Sequence, residues 1–307
     1  MMKKSFISIL AILMMFVNMG GIAEARAIEP SLKGLETGIN ESVSSITEYT
    51  IGEDEETILP LPKTPRNLGT STEGFIPNDL NLEMSPRVIV GRDDRTRVTN
   101  TTSFPNSAIG QVVVTWPNGA TSRATAWMYG NKVAVTAGHV VYNSSRGGWA
   151  RSVAFYPGRN GTTTALGVYY ATQLYTDTKY VASQDSNFDW GMIRFGTNVG
   201  ATTGFFGAEW TSASQVNTQV IVRGYPGEKS NQMWTSSGPI TASFATRTRY
   251  TIDTTSGQSG SPVYRGSTTR AVAIHSSGTS SNGVGVHNTG QRITEGLFNI
   301  INDARRW

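Results

Sequence analysis

From residue 88 to the C-terminus, short apolar runs rich in β-branched residues alternate with clusters of Gly, Asn, Ser and Pro. Such runs have the length of single strands, and the clusters between them favour turns. Many short strands at close spacing predict an all-β barrel or sandwich. The clearest strand candidates are 111–116, 132–136, 190–195, 219–223 and 271–275.

The C-terminal end departs from this pattern. Apolar residues recur there at the spacing that gives a helix one apolar face, and they are Leu297, Ile300, Ile301 and Ala304. Thr294 precedes them, and a threonine hydroxyl commonly caps the first turn of a helix. We therefore predict a C-terminal helix that packs against the β body.

The N-terminus has the three parts of a secretory signal peptide. Met-Met-Lys-Lys is followed by an apolar stretch over 6–19 and by Ala-Glu-Ala-Arg-Ala at 23–27. We predict a signal peptide over 1–27 and a secreted, extracellular protein. A membrane anchor is the alternative, but the stretch is short for a membrane span and no second one follows, so we expect no membrane partner.

The chain has 307 residues and no cysteine. A secreted protein without disulfides depends on its core, and a chain of this length can bury enough surface to be stable. Without cysteine, thiol catalysis is excluded and a structural zinc site is disfavoured. No loop with clustered Asp and Glu indicates calcium, so we expect neither metal nor cofactor.

Charge divides the rest of the chain in two. Residues 27–87 hold 11 acidic and 4 basic residues, whereas 88–307 hold 10 acidic and 19 basic residues. The acidic segment is rich in Pro, Ser and Thr and lacks periodicity, which predicts a poorly ordered prosegment over 28–87 with the basic domain, 88–307, as its partner. Nucleic acid is a second possible partner, but Lys and Arg are scattered without a basic helix or aromatic ladder, so we expect none.

A serine in a glycine-rich run is the strongest chemical motif. It is Ser259, within Gly257-Gln258-Ser259-Gly260-Ser261-Pro262-Val263. A serine hydroxyl needs an adjacent base, and His139, which ends an apolar strand in Thr136-Ala137-Gly138-His139, is the candidate. The backbone N–H groups of Gly257 and Ser259 would bind the oxyanion.

A third residue, a carboxylate, must hold the histidine. Asp189 directly precedes the apolar run 190–195, where an orienting carboxylate belongs. The other acidic candidates between the histidine and the serine are Asp177, Asp185, Glu209, Glu228 and Asp253. With Asp189 the chain order is His, Asp, Ser, which is the chymotrypsin order.

A rival triad would follow the α/β-hydrolase order. It would use Ser259, then His275 or His287, then Asp303. Ser259 does not lie in a Gly-x-Ser-x-Gly elbow, however, and the strand pattern offers no parallel sheet. His287 has no assigned role and is most simply a strand histidine near the surface of the C-terminal barrel.

Three blocks together resemble the glutamyl endopeptidase family of secreted bacterial serine proteases. They are Thr136-Ala137-Gly138-His139, Phe188-Asp189-Trp190-Gly191 and the run from Gly257 to Val263. The segments 88–95, 224–227 and 274–278 are similar to that family as well. The resemblance covers 88–307 and implies two antiparallel chymotrypsin-like β-barrels. His139 and Asp189 would come from the first barrel and Ser259 from the second, with the active site between them.

The substrate pocket allows two hypotheses. The resemblance places Thr254 and His275 where the family recognises a substrate carboxylate, with Ser276 and Gly278 in the pocket wall. A hydroxyl and an imidazole can both donate to a carboxylate, which favours cleavage after Glu and then Asp. Asp253 argues for a trypsin-like preference for Lys or Arg, unless it is paired or points away.

The resemblance also implies maturation. Val88-Ile89-Val90-Gly91 is similar to the mature start of the family, so cleavage after Arg87 would free an α-amino group at Val88 that helps to bind the substrate carboxylate. We expect a monomer that acts on proteins and peptides with acidic residues. The non-enzyme alternative is a secreted β-barrel binding protein, against which the complete triad argues.

Overall fold

The computed structural model describes residues 45–52, 55–59, 71–72, 89–281 and 284–307. The predicted signal peptide, Arg87 and Val88 lie outside the described residues. No helix among the described residues is long and apolar enough to cross a membrane.

Strands are the predominant secondary structure of the described residues. In chain order they are β1 (Ile46–Thr50), β2 (Glu55–Leu59), β3 (Ser71–Thr72), β4 (Thr96–Arg97), β5 (Ile109–Thr115), β6 (Thr121–Met128), β7 (Val133–Thr136), β8 (Tyr142–Asn143), β9 (Gly148–Trp149), β10 (Ser152–Pro157), β11 (Tyr169–Asp177), β12 (Gly191–Phe195), β13 (Gly207–Glu209), β14 (Gln219–Gly224), β15 (Trp234–Ser243), β16 (Arg247–Tyr250), β17 (Pro262–Arg265), β18 (Arg270–Ser281) and β19 (Val284–Arg292). The helices are α1 (Gly138–Val141), α2 (Thr178–Ser183), α3 (Val199–Thr203) and α4 (Glu295–Ala304).

Two closed antiparallel barrels form the body of the protein. The first has the strand order β10-β5-β6-β7-β12-β11 and closes through the pairing of β10 with β11. The second has the order β17-β14-β15-β16-β19-β18 and closes through the pairing of β17 with β18. Closure gives every barrel strand two neighbours, although β10 pairs with only Tyr169 and Tyr170 of β11. The prediction of two antiparallel barrels is confirmed.

Each barrel has an apolar interior. The first is filled by aliphatic and aromatic side chains from several strands, including Val112, Trp127, Val135, Phe155 and Ile193. The second encloses a smaller cluster, namely Val220, Val222, Ile240, Tyr250, Ile252, Val263, Val272 and Ala273. Burial at about 25 cal/mol for each Å² of apolar surface explains how a chain without cysteine maintains this fold.

Helix α4 confirms the predicted C-terminal helix. The hydroxyl of Thr294 accepts a hydrogen bond from the backbone N–H of Leu297 at 3.3 Å, which satisfies a donor of the first turn. The apolar face is buried, with Leu297, Phe298, Ile300, Ile301 and Ala304 all at most 2% exposed. Beyond the helix, the ring of Trp307 packs on Tyr175 of β11 with 4.6 Å between ring centroids.

The predicted prosegment contains strands, which sequence analysis did not predict. β1 pairs antiparallel with β11, from Ile46 opposite Asp177 to Thr50 opposite Gln173, and β2 pairs with β1. The ring of Tyr49 stacks on Trp149 with 5.5 Å between centroids and 6° between planes. The run Ile-Thr-Glu-Tyr-Thr suits a strand, but its pairing with β11 and β2 makes it one.

Candidate active site

Ser259 lies in a tight loop between β16 and β17, at the junction of the two barrels. Thr125 of β6 connects the barrels at this point, because its backbone N–H donates to the carbonyl of Ser259 at 2.9 Å. The hydroxyl of Thr125 donates to the carbonyl of Gly257, also at 2.9 Å. Strand β6 of the first barrel therefore holds the serine loop of the second barrel in place.

Two peptide units of this loop have carbonyl oxygens that accept hydrogen bonds within the protein. The carbonyl of Ser256 accepts from the N–H of Gly227 at 2.6 Å, and the carbonyl of Gln258 accepts from the N–H of Ser261 at 2.9 Å. In a planar trans peptide the N–H points opposite to the C=O. The N–H groups of Gly257 and Ser259 are thereby turned away from these internal partners.

Gly257 is required by this geometry. Its φ of +102° is in a region that residues with a Cβ rarely adopt. A Cβ at this position would lie 2.5 Å from the carbonyl oxygen of Tyr225 and 2.7 Å from the backbone nitrogen of Gly227. The glycine therefore allows the loop to make this turn beside the cavity that Gly257 lines.

His139 and Asp189 are joined by three hydrogen bonds. His139 is the second residue of helix α1, which begins two residues after the end of β7. Asp189 lies two residues before β12, which pairs with β7. Nδ1 of His139 lies 3.0 Å from Oδ1 and 2.9 Å from Oδ2 of Asp189. The backbone N–H of His139 donates to Oδ1 at 2.9 Å. Neighbouring strands of the first barrel thus fix the pair in one orientation.

The Asp189 carboxylate is buried yet stabilised as an anion. Burial alone would raise its pKa, but the charge of His139 and the hydrogen bonds from His139 and Ser276 outweigh burial and lower the pKa to about 2. Ser276 donates to Oδ2 at 2.5 Å. Sequence analysis placed Ser276 in the pocket wall, whereas the structure places its hydroxyl on the Asp189 carboxylate.

A cavity of about 480 Å³ adjoins these residues and is lined by His139, Gly257 and Ser259. The structure therefore brings together every residue of the predicted triad and both residues of the predicted oxyanion site. The glycine-rich run around Ser259 and the strand-end positions of His139 and Asp189 made these residues recognisable in the sequence. The arrangement suits proton transfer at a serine hydroxyl next to two backbone donors.

His275 and Thr254 meet in the second barrel. Nε2 of His275 lies 2.8 Å from the hydroxyl of Thr254, and Nδ1 lies 2.7 Å from the hydroxyl of Tyr250. Thr254 donates its only hydroxyl hydrogen to Oδ1 of Asn288 at 2.9 Å. His275 must then donate from Nε2 to Thr254, and Nδ1 accepts from Tyr250.

Sequence analysis missed Tyr250 and Asn288 in this network. Both lie on strands of the second barrel, β16 and β19, that pair with each other with Tyr250 opposite Asn288. Neither has a sequence motif, so only the strand register could have found them. Gly278 lies opposite Asn288 on β18 and is exposed, while His287 is half-exposed on β19 opposite Thr279.

Asp253 binds the chain that follows the predicted cleavage site. Its Oδ1 accepts from the backbone N–H of Val90 at 2.7 Å. Burial raises the pKa of Asp253 to about 6, and the nearby carboxylates of Asp94 and Asp93 also raise it, while the Val90 hydrogen bond acts in the opposite direction. Asp253 is therefore paired with the N-terminal segment.

A second set of contacts fixes the same segment. Arg95 forms ion pairs with Asp93 at 2.9 Å and with Glu228 at 2.5 Å. It also donates to the hydroxyl of Thr255 at 3.2 Å. Residues 90–95 are thus held against the loop that precedes Ser259.

Comparison with known proteins first defines the class. A family model described as a trypsin-like peptidase domain matches residues 124–274, which include His139, Asp189 and Ser259. Together with the two closed barrels, this match defines a chymotrypsin-like serine endopeptidase.

Individual relatives then define the family. A glutamyl endopeptidase from Bacillus licheniformis is 38% identical over 225 residues, which cover 71% of this chain and 69% of the relative. A solved structure of Glu endopeptidase in complex with MPD has a TM-score of 0.64 and 31% identity, and the match covers 72% of this chain and 100% of the other. The chain belongs to the glutamyl endopeptidase family, as the resemblance predicted.

One relative has a name of a different class. A protein from Bacillus subtilis named extracellular metalloprotease is 38% identical over 226 residues, which cover 71% of this chain and 70% of the relative. A catalytic metal is usually held by three protein ligands. Within the described part of the chain, no group of three or more His, Cys, Asp or Glu side chains is placed to hold a metal ion. The described residues therefore do not fit a metalloprotease centre.

Proposed function

We propose that this serine endopeptidase acts through His139, Asp189 and Ser259 and cleaves after Glu, and more weakly after Asp. The observation that carries the proposal is the buried Asp189 carboxylate, which holds both Nδ1 and the backbone N–H of His139 beside the cavity that Ser259 lines. A general base with a fixed orientation is what an unactivated serine hydroxyl needs.

The mechanism follows from the hydrogen-bond directions. With its Nδ1–H held by Asp189, His139 has its lone pair on Nε2. Nε2 takes the proton of the Ser259 hydroxyl as the oxygen attacks the scissile carbonyl, and the N–H groups of Gly257 and Ser259 bind the oxyanion. Asp189 stabilises the imidazolium. Nε2 then gives its proton to the leaving amine, and a water molecule, deprotonated by the same nitrogen, hydrolyses the acyl-enzyme.

The preference for Glu rests on His275 and Thr254. Both are buried, and each has a donor that at present serves an internal acceptor. A substrate carboxylate is a stronger acceptor than a hydroxyl or an amide oxygen, so it can take one of these donors. Tyr250 on Nδ1 keeps the imidazole oriented with Nε2 toward Thr254. This is the chemistry of a site for a negatively charged side chain.

The position of Asp253 argues against the trypsin-like alternative. A preference for Lys or Arg would need this carboxylate at the base of the pocket, available to a cation. Asp253 instead accepts from Val90 at 2.7 Å and is 3% exposed. Asp253 therefore meets the condition that sequence analysis set for a Glu preference, which was that it be paired.

Maturation at Val88 is the second part of the proposal. Val90 is fixed on Asp253, next to Thr254 in sequence. Two residues span at most about 7 Å, so an α-amino group at Val88 would lie close to this cluster. Its positive charge would complement a substrate carboxylate. An enzyme that cleaves after Glu would not cut after Arg87, so another protease must release it.

Secretion and an acidic prosegment complete the proposal. The predicted signal peptide over 1–27 and the relative named extracellular support export. The pairing of β1 with β11 and of β3 with β13 supports the protease domain as the partner of the prosegment. Monomeric action without a cofactor remains our expectation.

The catalytic assignment is tested by Ser259→Ala and His139→Ala. Each is expected to lower kcat by about 10⁴ or more, and the double variant should lose little further activity because the residues act as a unit. A serine-reactive probe should label the wild type and fail to label Ser259→Ala. Retained turnover in purified Ser259→Ala would overturn the assignment.

The specificity is tested with a mixed peptide library and with N-terminal sequencing of the secreted enzyme. His275→Ala should lower kcat/KM for Glu substrates by roughly 2 to 4 kcal/mol, and Thr254→Val should lower it less. A profile dominated by Lys or Arg and abolished by Asp253→Asn would establish the trypsin-like alternative. A mature chain that starts far from Val88 would contradict the proposed maturation.

A further inference from the structure

The cavity beside Ser259 extends away from the cluster that we assign to the substrate side chain before the scissile bond. It is lined by the nucleophile, His139 and Gly257 at one end, and none of Thr254, His275, Ser276 or Gly278 lines it. The two parts of a substrate leave the scissile carbonyl in opposite directions. The part that follows the scissile bond, which departs as the leaving amine, therefore occupies this cavity.

Two arginines give this cavity its charge. Arg123 of β6 and Arg146 of the turn after β8 line it, and no Asp or Glu is among its lining residues. Within the described part of the chain, neither guanidinium lies within ion-pair distance of a carboxylate. The charge of both groups is thus available to a bound substrate.

Arg146 is held in position before any substrate arrives. Its guanidinium lies over the indole of Trp116 at 5.5 Å from the ring centroid, and Trp116, 1% exposed, donates from Nε1 to the hydroxyl of Ser122 at 2.9 Å. Its backbone turn is fixed by Asn143, whose Oδ1 accepts from the N–H of Ser145 at 3.1 Å. A guanidinium fixed in this way loses little freedom when it binds an anion.

We propose that Arg123 and Arg146 form a carboxylate-binding subsite for the part of the substrate that follows the scissile bond. The proposal rests on the triad and on the direction of binding proposed above. The carboxylate is either an acidic side chain within the first few residues after the cleaved bond or the free C-terminus of a short peptide. Exposed ion pairs contribute about 0.2 to 1 kcal/mol, so we expect each arginine to favour the carboxylate by up to about fivefold in kcat/KM.

The test uses internally quenched peptides with Glu before the cleaved bond. At each of the next three positions, Asp is compared with its neutral isostere Asn, and every peptide is made with a free and an amidated C-terminus. The wild type should prefer Asp or the free acid by about two- to tenfold, and the preference should shrink at high salt. If kcat/KM depends only on Asp, the bound carboxylate is the acidic side chain. If kcat/KM depends only on the free acid, the bound carboxylate is the C-terminus of the peptide.

The variants are Arg123→Gln, Arg146→Gln and the double variant, with Arg151→Gln as the matched control. Arg151 is exposed and lies near Arg146 in sequence but does not line the cavity, so its loss changes the net charge as much as either single variant does. The carboxylate preference should disappear in the double variant and persist in Arg151→Gln. An equal loss in the control, or cleavage by the wild type without any Asp or acid preference, would refute the subsite. No cleavage of any peptide would instead refute the proposed triad.

Discussion

Replacement of Ser276 by alanine should separate stability from catalysis. Ser276 is 2% exposed and donates its hydroxyl hydrogen to the buried Asp189 carboxylate at 2.5 Å. A hydrogen bond to a charged group contributes about 1.5 to 3 kcal/mol, so its loss should raise the pKa of Asp189 by about 1 to 2 units. From about 2 in the wild type, the pKa would still remain well below 7.

Asp189 therefore stays ionised at neutral pH in the Ser276→Ala variant, and His139 remains oriented. We expect kcat/KM at pH 7 to fall by less than about tenfold. The free energy of unfolding should fall by about 1.5 to 3 kcal/mol, because the buried anion loses a donor. For a domain of this size, Tm falls by about 2 to 4 °C for each kcal/mol.

The pH dependence has a definite sign. The folded pKa of Asp189 is depressed, so its contribution to stability is present above its ordinary pKa of 3.8 and is lost as the pH falls toward about 2. In Ser276→Ala the pKa of Asp189 is lowered less, so the free energy of unfolding should change less between pH 3.8 and about 2. Unfolding is measured in a Ser259→Ala background to prevent self-digestion, with exposed Ser277→Ala as the control. A hundredfold loss of kcat/KM with unchanged stability would show that Ser276 acts on the substrate directly.

Three further outcomes are expected. Because the folded pKa of Asp253 is raised to about 6, the free energy of unfolding of the wild type should fall as the pH rises from about 4 to 6. Asp253→Asn should reduce that fall, and the same pH dependence of stability in both proteins would contradict the raised pKa. Thr294→Ala should lower the free energy of unfolding by about 1 kcal/mol in urea titrations without a change in kcat/KM, since it removes only a helix cap. Gly257→Ala should lower kcat strongly and change KM little, because its Cβ would clash with Tyr225 and displace the N–H that we assign to the oxyanion. A rise in KM as large as the loss of kcat would indicate a role in substrate binding instead.

The fold could be predicted from local patterns to a large extent. Runs such as 111–116 and 219–223 lie in β5 and β14, and the spacing from Leu297 to Ala304 marks α4. Closure into two barrels came from the family resemblance, because strand pairing depends on contacts between residues distant in sequence. β1 was missed for the same reason, since its five residues form a strand through pairing with β11 and β2.

The candidate site likewise contains residues that local motifs predict and residues that only strand pairing brings together. His139, Asp189 and Ser259 each lie in a local motif that indicates their chemistry. The partners that orient His275 do not, because Tyr250 and Asn288 are ordinary strand residues brought together by the register of β16 and β19. The contact of Asp253 with Val90 joins positions 163 residues apart, so the sequence alone left two pocket hypotheses open.

Because β1 pairs with β11, removal of the proposed N-terminal prosegment would require dissociation of a strand as well as cleavage of a peptide bond. A cut in the chain leaves the hairpin attached through its backbone hydrogen bonds, the stacked rings of Tyr49 and Trp149, and the buried Ile46. Once the hairpin dissociates, residues 173–177 of β11 present a row of N–H and C=O groups to water. Such an edge accepts any extended chain of suitable sequence. In the proposed mature enzyme, which would begin at Val88 and lack the hairpin, this free edge of β11 would favour self-association through strand pairing.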